Sequence, residues 1–195
     1  MHSLGKRADC KRSREFESPP LRIARFPPGL FYLTREREAT PADVPAIARI
    51  WNEGIADRIA TLDEDPKTEA GVDAGFADHD ARYAVTVALH ADGHVVGWAS
   101  LNRYSDRRAY AGVADLSIYI ARESRGQGIG KQLLRALEVR AKQNEFHKIV
   151  LFALARNDAG TALYRTSGYR DVGTFREQGR LDGVPTDVIA MEKLL

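Results

Sequence analysis

The segment from Ser117 to Leu134, which reads SIYIARESRGQGIGKQLL, limits the possible folds more than any other stretch of the chain. It starts with β-branched and aromatic residues that favour a strand, passes three glycines at positions 126, 128 and 130, and ends with leucines at helical spacing. The pattern predicts a strand, a tight turn and a helix in direct succession. Because glycine has no Cβ, such a turn can bring its backbone N–H groups close to a ligand.

Two familiar glycine loops do not fit this turn. A Walker-type phosphate loop needs a glycine where Arg125 stands and a hydroxyl residue where Gln132 follows Lys131. A dinucleotide fingerprint needs G-x-G-x-x-G, whereas the turn reads G-x-G-x-G. Two interpretations stay open: a tight turn without a ligand, and an R-x-x-G-x-G anion site at the positive end of the helix dipole. In the second, Arg125 and Lys131 add positive charge beside a bound pyrophosphate.

The remaining patterns predict an α/β protein (α+β in some schemes). Asp92-Gly93 lies between two strand-like runs and indicates a hairpin, and KIVLFAL at 148–154 reads as a buried strand. Thr40 is the expected N-cap of the first helix, which is followed by a second one. The predicted order is a strand, two helices, three antiparallel strands, a helix, a strand, a helix and two final antiparallel strands.

The first 30 residues differ from the rest. They are rich in basic residues and show no hydrophobic periodicity, so residues 1–30 are expected to form a disordered extension and residues 31–195 the folded domain. The alternatives for the extension are an Arg-rich organelle leader, a nucleic-acid-binding arm, or a start assigned too far upstream of the true domain.

Composition excludes several classes of protein. A formal net charge of +2 argues against nucleic-acid binding, and no apolar run approaches the roughly 20 residues that a membrane helix needs. Cys10 is the single cysteine, so a disulfide framework is excluded and a cytoplasmic protein is expected. The five histidines form no HExxH and pair with no CxxC, so no metal site is expected, and His79 is interpreted as a solvated side chain.

Five segments occur in order at family spacing: IWNEGIADRIATLDEDP, YSDRRAYAGVADLSIYI, SRGQGIGKQLL, the dipeptide ND at 157–158, and GRLDG. With them the chain resembles the GCN5-related N-acetyltransferases over about residues 33–195, and within them the phosphinothricin and arsinothricin acetyltransferase branch. The resemblance implies a mixed, twisted sheet that splays between its fourth and fifth strands, where acetyl-CoA enters.

The resemblance also implies which residues bind acetyl-CoA. The backbone of the fourth strand pairs with the pantetheine amides, residues 126–131 hold the pyrophosphate, and Asn157 hydrogen-bonds the pantetheine arm. A plain helix N-cap is the alternative for Asn157, and both roles are compatible. The predicted set is Ile118, Tyr119, Ile120, Arg125, Gly126, Gln127, Gly128, Ile129, Gly130, Lys131 and Asn157.

Acetyl transfer to an amine needs a base, a polarised carbonyl and a proton for the departing thiolate. Asp115 lies within a β-run, where an acid is unfavourable, and takes the place of the family glutamate. Since it is one methylene shorter, we expect it to act as the base through a water; a solvent-facing aspartate is the alternative. Tyr164 matches the family's general acid or packs as an aromatic residue. A backbone amide of the fourth strand is expected to polarise the carbonyl.

The acceptor side departs from the family pattern. Leu62 stands where relatives carry phenylalanine, Pro185 where tryptophan is expected, and Ser105 where a second arginine is expected. Arg107 can pair with a substrate carboxylate or phosphinate, or remain a solvated loop charge. The predicted substrate-binding residues are Leu62, Arg107 and Asp115.

The resemblance therefore implies an acetyl-CoA-dependent enzyme that acetylates the α-amine of a small amino acid or analogue, such as phosphinothricin, methionine sulfoximine or arsinothricin. The alternatives are another amine acceptor (a polyamine, an aminoglycoside or a protein N-terminus) and a non-catalytic acyl-CoA-binding module. Relatives are commonly homodimers, so a homodimer is a possible state.

Overall fold

The computed structural model of this chain describes residues 35–77 and 82–195. The predicted extension at 1–30 and His79 lie outside the described residues. The strands are β1 (Arg35–Glu38), β2 (Val85–Leu89), β3 (Val95–Arg103), β4 (Val113–Ile120), β5 (Lys148–Leu154), β6 (Arg170–Leu181) and β7 (Val184–Leu194). The α-helices are α1 (Val44–Ala56), α2 (Glu69–Ala77), α3 (Ile129–Gln143) and α4 (Asp158–Thr166). Their order along the chain is the predicted one.

The strands form one mixed sheet in the order β1-β2-β3-β4-β5-β7-β6. Neighbouring strands are antiparallel except β4 and β5, which run parallel. The predicted Asp92-Gly93 turn joins β2 to β3. The expected α/β fold, a mixed sheet flanked by helices, is confirmed.

The sheet splits between β4 and β5. These strands pair only from Val113 with Lys148 to Asp115 with Val150. Beyond Asp115, β4 stays paired with β3 as far as Ile120, while β5 stays paired with β7. The strands β4 and β5 therefore diverge from Asp115 onward and open a cleft between them, which is the predicted splay.

Helices cover both faces of the sheet. On one face, the predicted core leucines of α3, at positions 133, 134 and 137, are fully buried against residues such as Leu101 and Ile149. On the other face, Ile47 and Ile50 of α1 pack with Trp98. Burying each such side chain contributes about 1.5–3 kcal/mol, so these two layers fix the strands that border the cleft. Among the described residues, no helix combines the length and apolar character needed to cross a membrane.

The first helix begins later than predicted. A 3₁₀ turn at Pro41–Asp43 precedes α1, and the Asp43 carboxylate accepts hydrogen bonds from the backbone N and the Oγ1 of Thr40, both at 2.8 Å. Asp43 also accepts two hydrogen bonds from Arg37, which is the main reason that its pKa falls to about 2. This tight turn anchors α1 to β1.

The C-terminal hairpin has a tight two-residue turn. Asp182 and Gly183 both have positive φ, 51° and 76°, as in a type I′ turn, and β7 begins directly after them at Val184. Pro185 therefore lies inside β7, paired with Arg180. It is tolerated there because β7 pairs with β5 only from Val188 onward.

Candidate active site

The glycine turn after β4 contains two different kinds of glycine. Gly126 and Gly128 have φ of 74° and 84°, which favours glycine, and a Cβ built on either meets nothing within 4 Å. The space above the turn is therefore open. At Gly130 a Cβ would lie 3.0 Å from the Cδ2 of Leu163, so this glycine allows α3 and α4 to pack closely.

The backbone N–H groups from Gly126 to Gly130 donate no hydrogen bond to any residue in the described part of the chain. The first intrahelical bonds of α3 are those from the N–H groups of Lys131 and Gln132 to the carbonyl of Gly128. Unpaired N–H groups at the positive end of a 15-residue helix form an anion-binding site. The interpretation of the turn as an anion site is favoured over a turn without a ligand.

The side chain of Arg125, which was expected to add positive charge beside a pyrophosphate, is engaged by two protein groups. Its guanidinium bonds the carboxylate of Asp57 at 2.5 Å and the carbonyl of Ile120 at 3.1 Å. Arg122 bonds the same carboxylate, and together the two arginines lower the pKa of Asp57. Arg125 thus ties the turn to α1 and β4. Lys131 is exposed and makes no ion pair with a described residue, so the available charge at the turn is its ammonium.

The edge of β4 presents backbone groups to the cleft. The N–H of Ala121 bonds the carbonyl of Val96, so the antiparallel register directs the backbone of Tyr119 towards β3. The backbone groups of Ile118 and Ile120 then point away from β3, towards the cleft. Of the three residues predicted to pair with the pantetheine amides, only Ile118 and Ile120 therefore have backbone groups that face the cleft. The Tyr119 ring stacks on Trp98 at 4.8 Å on the α1 face, and burial raises its pKa to about 12.

The part of the cleft next to the glycine turn has a volume of about 410 Å³. It is lined by every predicted cofactor-binding residue except Gln127. The side chain of Gln127 bonds the carbonyl of Glu123 instead. Ile59 and Ala60, in the connection after α1, form part of the wall and were missed from the sequence. Their position within the quoted segment IWNEGIADRIATLDEDP was the only available signal.

Asn157 has the role of a helix cap. Its Oδ1 accepts a hydrogen bond of 2.9 Å from the N–H of Gly160 at the start of α4. A Cβ at Gly160 would lie 2.7 Å from the Nδ2 of Asn157, so the cap and the glycine fit each other closely. Because Asn157 also lines the cleft, capping and ligand binding are compatible.

Asp115 lies at the inner end of the cleft, at the last residue pair that joins β4 to β5. It is half-buried rather than solvent-facing, and burial raises its pKa to about 6, opposed by hydrogen bonding with the Leu116 N–H and Asn102. A carboxylate with such a pKa is ionised at neutral pH and is still basic enough to accept a proton. This position and pKa fit a general base.

Tyr164 of α4 is buried, with 9% of its surface exposed, and its ring contacts Tyr169 edge-on at 5.9 Å. Burial raises the pKa of its phenol, so the hydroxyl carries its proton at neutral pH. Tyr164 lines both the cleft and the adjoining acceptor cavity, where Asp115 is also found. Tyr164 therefore belongs to the hydrophobic core and also lines the candidate active site.

Of the three predicted substrate-binding residues, Leu62 and Arg107 each line a cavity that Asp115 also lines. Leu62 shares with it a cavity of about 230 Å³, and the exposed Arg107 shares with it a wider opening bordered by Tyr104 and Tyr110. Leu62 also packs against the C-terminal hairpin: a Cβ at Gly179 would lie 2.7 Å from its Cδ1. Pro185 lines neither of these acceptor cavities.

The cleft between the diverging parallel strands thus has unpaired N–H groups near one end and a half-buried carboxylate at the other, an arrangement suited to holding a phosphate-bearing ligand beside an acceptor. Residues 47–169 match the model of the acetyltransferase (GNAT) family. The chain is 33% identical to the L-methionine sulfoximine/L-methionine sulfone acetyltransferase of Pseudomonas aeruginosa, over 80% of this chain and 91% of that protein.

Two solved structures are similar along most of their length. A GNAT superfamily phosphinothricin acetyltransferase from Sinorhizobium meliloti in complex with AcCoA has a TM-score of 0.80 and 31% identity, over 83% of this chain and 88% of that one. The ribosomal-protein-alanine N-acetyltransferase from Brucella melitensis has a TM-score of 0.79 and 30% identity, over 83% and 99%. The chain belongs to the acetyltransferase (GNAT) family.

Proposed function

We propose that this protein transfers the acetyl group of acetyl-CoA to the α-amino group of a small amino acid or amino acid analogue. The observation that carries the proposal is the position of Asp115 at the fork of β4 and β5, at the opposite end of the cleft from the unpaired N–H groups at 126–130. A thioester anchored by its phosphates at the turn would extend along β4 and end beside this carboxylate.

The backbone supplies most of the acetyl-CoA site in this proposal. The N–H groups at 126–130 and the Lys131 ammonium bind the pyrophosphate, which is where unpaired donors and a helix dipole favour negative charge. The backbone groups of Ile118 and Ile120 pair with the pantetheine amides like an added strand. Asn157 and Arg125 hold the walls of the cleft in place.

The reaction then needs two proton transfers. The amine nitrogen attacks the thioester carbonyl carbon, and Asp115 takes a proton from the amine, directly or through a water. A backbone N–H of β4 stabilises the negative oxygen of the tetrahedral intermediate. As the intermediate collapses, the carbon–sulfur bond breaks, and the Tyr164 hydroxyl donates a proton to the CoA thiolate. General acid–base assistance of this kind contributes about 10²–10⁴-fold in rate.

The acceptor residues favour an amino acid that carries an anionic group. Arg107 lies in the same opening as Asp115, so its guanidinium can bind a carboxylate or phosphinate while the amine faces the base. Methionine sulfoximine and phosphinothricin, named for two similar proteins, are the first acceptors to test. Acetylation of such analogues in the cell would give resistance to them.

A second acceptor is favoured by one comparison. The similar Brucella structure is named a ribosomal-protein-alanine N-acetyltransferase, so a protein N-terminus beginning with alanine is the competing acceptor. A peptide substrate would have to enter through the wider opening beside Tyr104 and Tyr110.

Thiol release from acetyl-CoA separates these acceptors. The purified full-length protein is assayed with methionine sulfoximine, phosphinothricin, the standard amino acids, a polyamine, an aminoglycoside and an alanine-terminated peptide. We expect turnover with amino acids or their analogues. Turnover with the peptide alone would show that the acceptor is a protein N-terminus and not a small amino acid. Acetyl-CoA binding without turnover on any amine would show that the protein binds acyl-CoA and does not catalyse acetyl transfer. A cytoplasmic location and a homodimer stay predictions, the second to be tested by light scattering.

A further inference from the structure

The turn between β2 and β3, at residues 90–94, brings three potential metal ligands together. His90 N–H bonds the His94 carbonyl at 2.8 Å, and Gly93 N–H bonds the His90 carbonyl at 2.9 Å. The Asp92 carboxylate accepts a further bond from the backbone N–H of His94 at 3.1 Å. These bonds, with the left-handed Gly93 at φ 95°, hold the turn in one conformation.

The side chains of this turn point at one another. The Nδ1 atoms of His90 and His94 lie 3.2 Å and 2.5 Å from the Oδ1 of Asp92, and the two imidazole rings stack at 4.8 Å and 28°. One nitrogen from each histidine and one carboxylate oxygen all lie within 4.8 Å of one another. Two imidazole nitrogens and a carboxylate oxygen are ligands that zinc accepts.

We propose that His90, Asp92 and His94 bind a divalent transition-metal ion, with a water completing the coordination. Around a tetrahedral zinc with bonds of 2.0–2.1 Å, ligand atoms are about 3.3 Å apart. The His90–Asp92 pair already has this spacing, the His94–Asp92 pair would open by about 0.8 Å, and the two histidine nitrogens, which lie within 4.8 Å of each other, would move closer together. A metal ion binds imidazole through an unprotonated ring nitrogen, so binding at this site would weaken as the pH falls.

The site is separate from the residues that the proposed acetyl transfer uses. It lies at the β2–β3 turn, whereas those residues belong to β4, to α3 and α4 with the turns next to them, and to the connection between α1 and α2. Its ligands stand two residues apart within a hairpin, a spacing that matches neither HExxH nor CxxC. Its effect would be to cross-link the turn and stabilise the folded protein through binding.

Titration of the full-length, tag-free protein with zinc chloride tests the proposal. We expect one ion per chain, with affinity reduced at least about tenfold in His94→Ala and in Asp92→Asn. His147→Ala is the matched control, because His147 is an exposed histidine outside the turn, and it should bind zinc like the unmodified protein. Cobalt should give visible absorption bands in the unmodified protein and lose them in His94→Ala.

Thermal unfolding gives a second readout that does not depend on catalysis. Zinc should raise the Tm of the unmodified protein and of His147→Ala, and leave that of His94→Ala unchanged. Circular dichroism confirms that the variants are folded, and acetyl transfer should be the same in all of them. No zinc binding, or zinc binding that is equal in His94→Ala and the unmodified protein, would overturn the proposal.

Discussion

The two halves of the cleft are built from different kinds of atoms. The cofactor half consists largely of backbone: the N–H groups at 126–130 and the free edge of β4 at Ile118 and Ile120. The acceptor half consists of side chains, chiefly Leu62, Arg107 and Asp115. A backbone site persists wherever the fold and two glycines persist, whereas a side-chain site changes with each substitution. The same fold can therefore keep acetyl-CoA and exchange its acceptor.

The largest loss of activity is expected from a substitution of Asp115, where the cofactor half and the acceptor half meet. Asp115→Asn should lower kcat by about 10²-fold or more at pH 7 and leave acetyl-CoA affinity unchanged, because it removes only the base. The deficit should shrink towards pH 9, where the acceptor amine loses its proton unaided. In the unmodified protein kcat should fall as pH drops below about 6, where the carboxylate is protonated. Steady-state kinetics from pH 5 to 9 check this. A deficit that stays constant with pH would remove Asp115 as the base.

The same carboxylate should also affect stability. Its pKa rises from 3.8 to about 6 on folding, so the folded protein favours the protonated form. The free energy of unfolding should therefore decrease as pH rises from 4 to 6, and this contribution should be absent in Asp115→Asn. Urea unfolding at pH 4, 5 and 6 compares the two proteins. An equal slope in both would contradict the shifted pKa.

In the cofactor half, Gly128→Val should weaken acetyl-CoA binding by about 10²-fold, since the side chain fills the open space above the turn and lost charge-assisted hydrogen bonds cost about 1.5–3 kcal/mol each. It should also destabilise the fold by about 1–3 kcal/mol, because φ is 84°. Gly93→Val is the matched control: it has the same left-handed strain and open surroundings, but lies in another turn. Calorimetry should find its acetyl-CoA affinity unchanged. If both variants bind equally well, the turn is not the phosphate site.

In the acceptor half, Arg107→Gln should raise the KM for an anionic amino acid about tenfold, because a bidentate charge-assisted pair is lost. The KM for acetyl-CoA should not change. Arg108→Gln, one residue further in the same loop, is the control and should have little effect. Initial rates with methionine sulfoximine measure both constants. An unchanged acceptor KM would leave Arg107 as a solvated loop charge.

The smallest effect is expected from the contact that holds the acceptor half together. Arg58, with φ of 56°, bonds Asp182 at 2.9 Å and joins the connection after α1 to the C-terminal hairpin. Since an exposed ion pair is worth about 0–1 kcal/mol, Asp182→Ala should raise the acceptor KM no more than about fivefold. Acetyl-CoA affinity should stay the same. A loss of acetyl-CoA binding in this variant would break the separation of the two halves.

The sequence predicted what local patterns and the family resemblance determine. The strand–turn–helix at 117–134, the core leucines of α3 and the carboxylate at Asp115 follow from residue order and spacing. Contacts between distant segments were not predictable in this way. Arg125 was expected to add positive charge beside the ligand, and its pairing with Asp57, which is 68 residues away, could not be read from the sequence. Gly130 was predicted to bind the ligand, and the structure adds a close approach to Leu163 that the sequence did not indicate. Such long-range partners depend on how the finished sheet positions its helices.

The central claim is that the unpaired N–H groups at 126–130 bind the pyrophosphate of acetyl-CoA. Calorimetry of the unmodified protein with acetyl-CoA and with S-acetylpantetheine, which lacks the pyrophosphate and the 3′-phosphoadenosine beyond it, tests without any substitution whether this end of the ligand is bound. We predict that acetyl-CoA binds at least about 10²-fold more tightly, as expected if two or more charge-assisted hydrogen bonds are gained. Equal affinities for the two thioesters, or no heat from either, would contradict it.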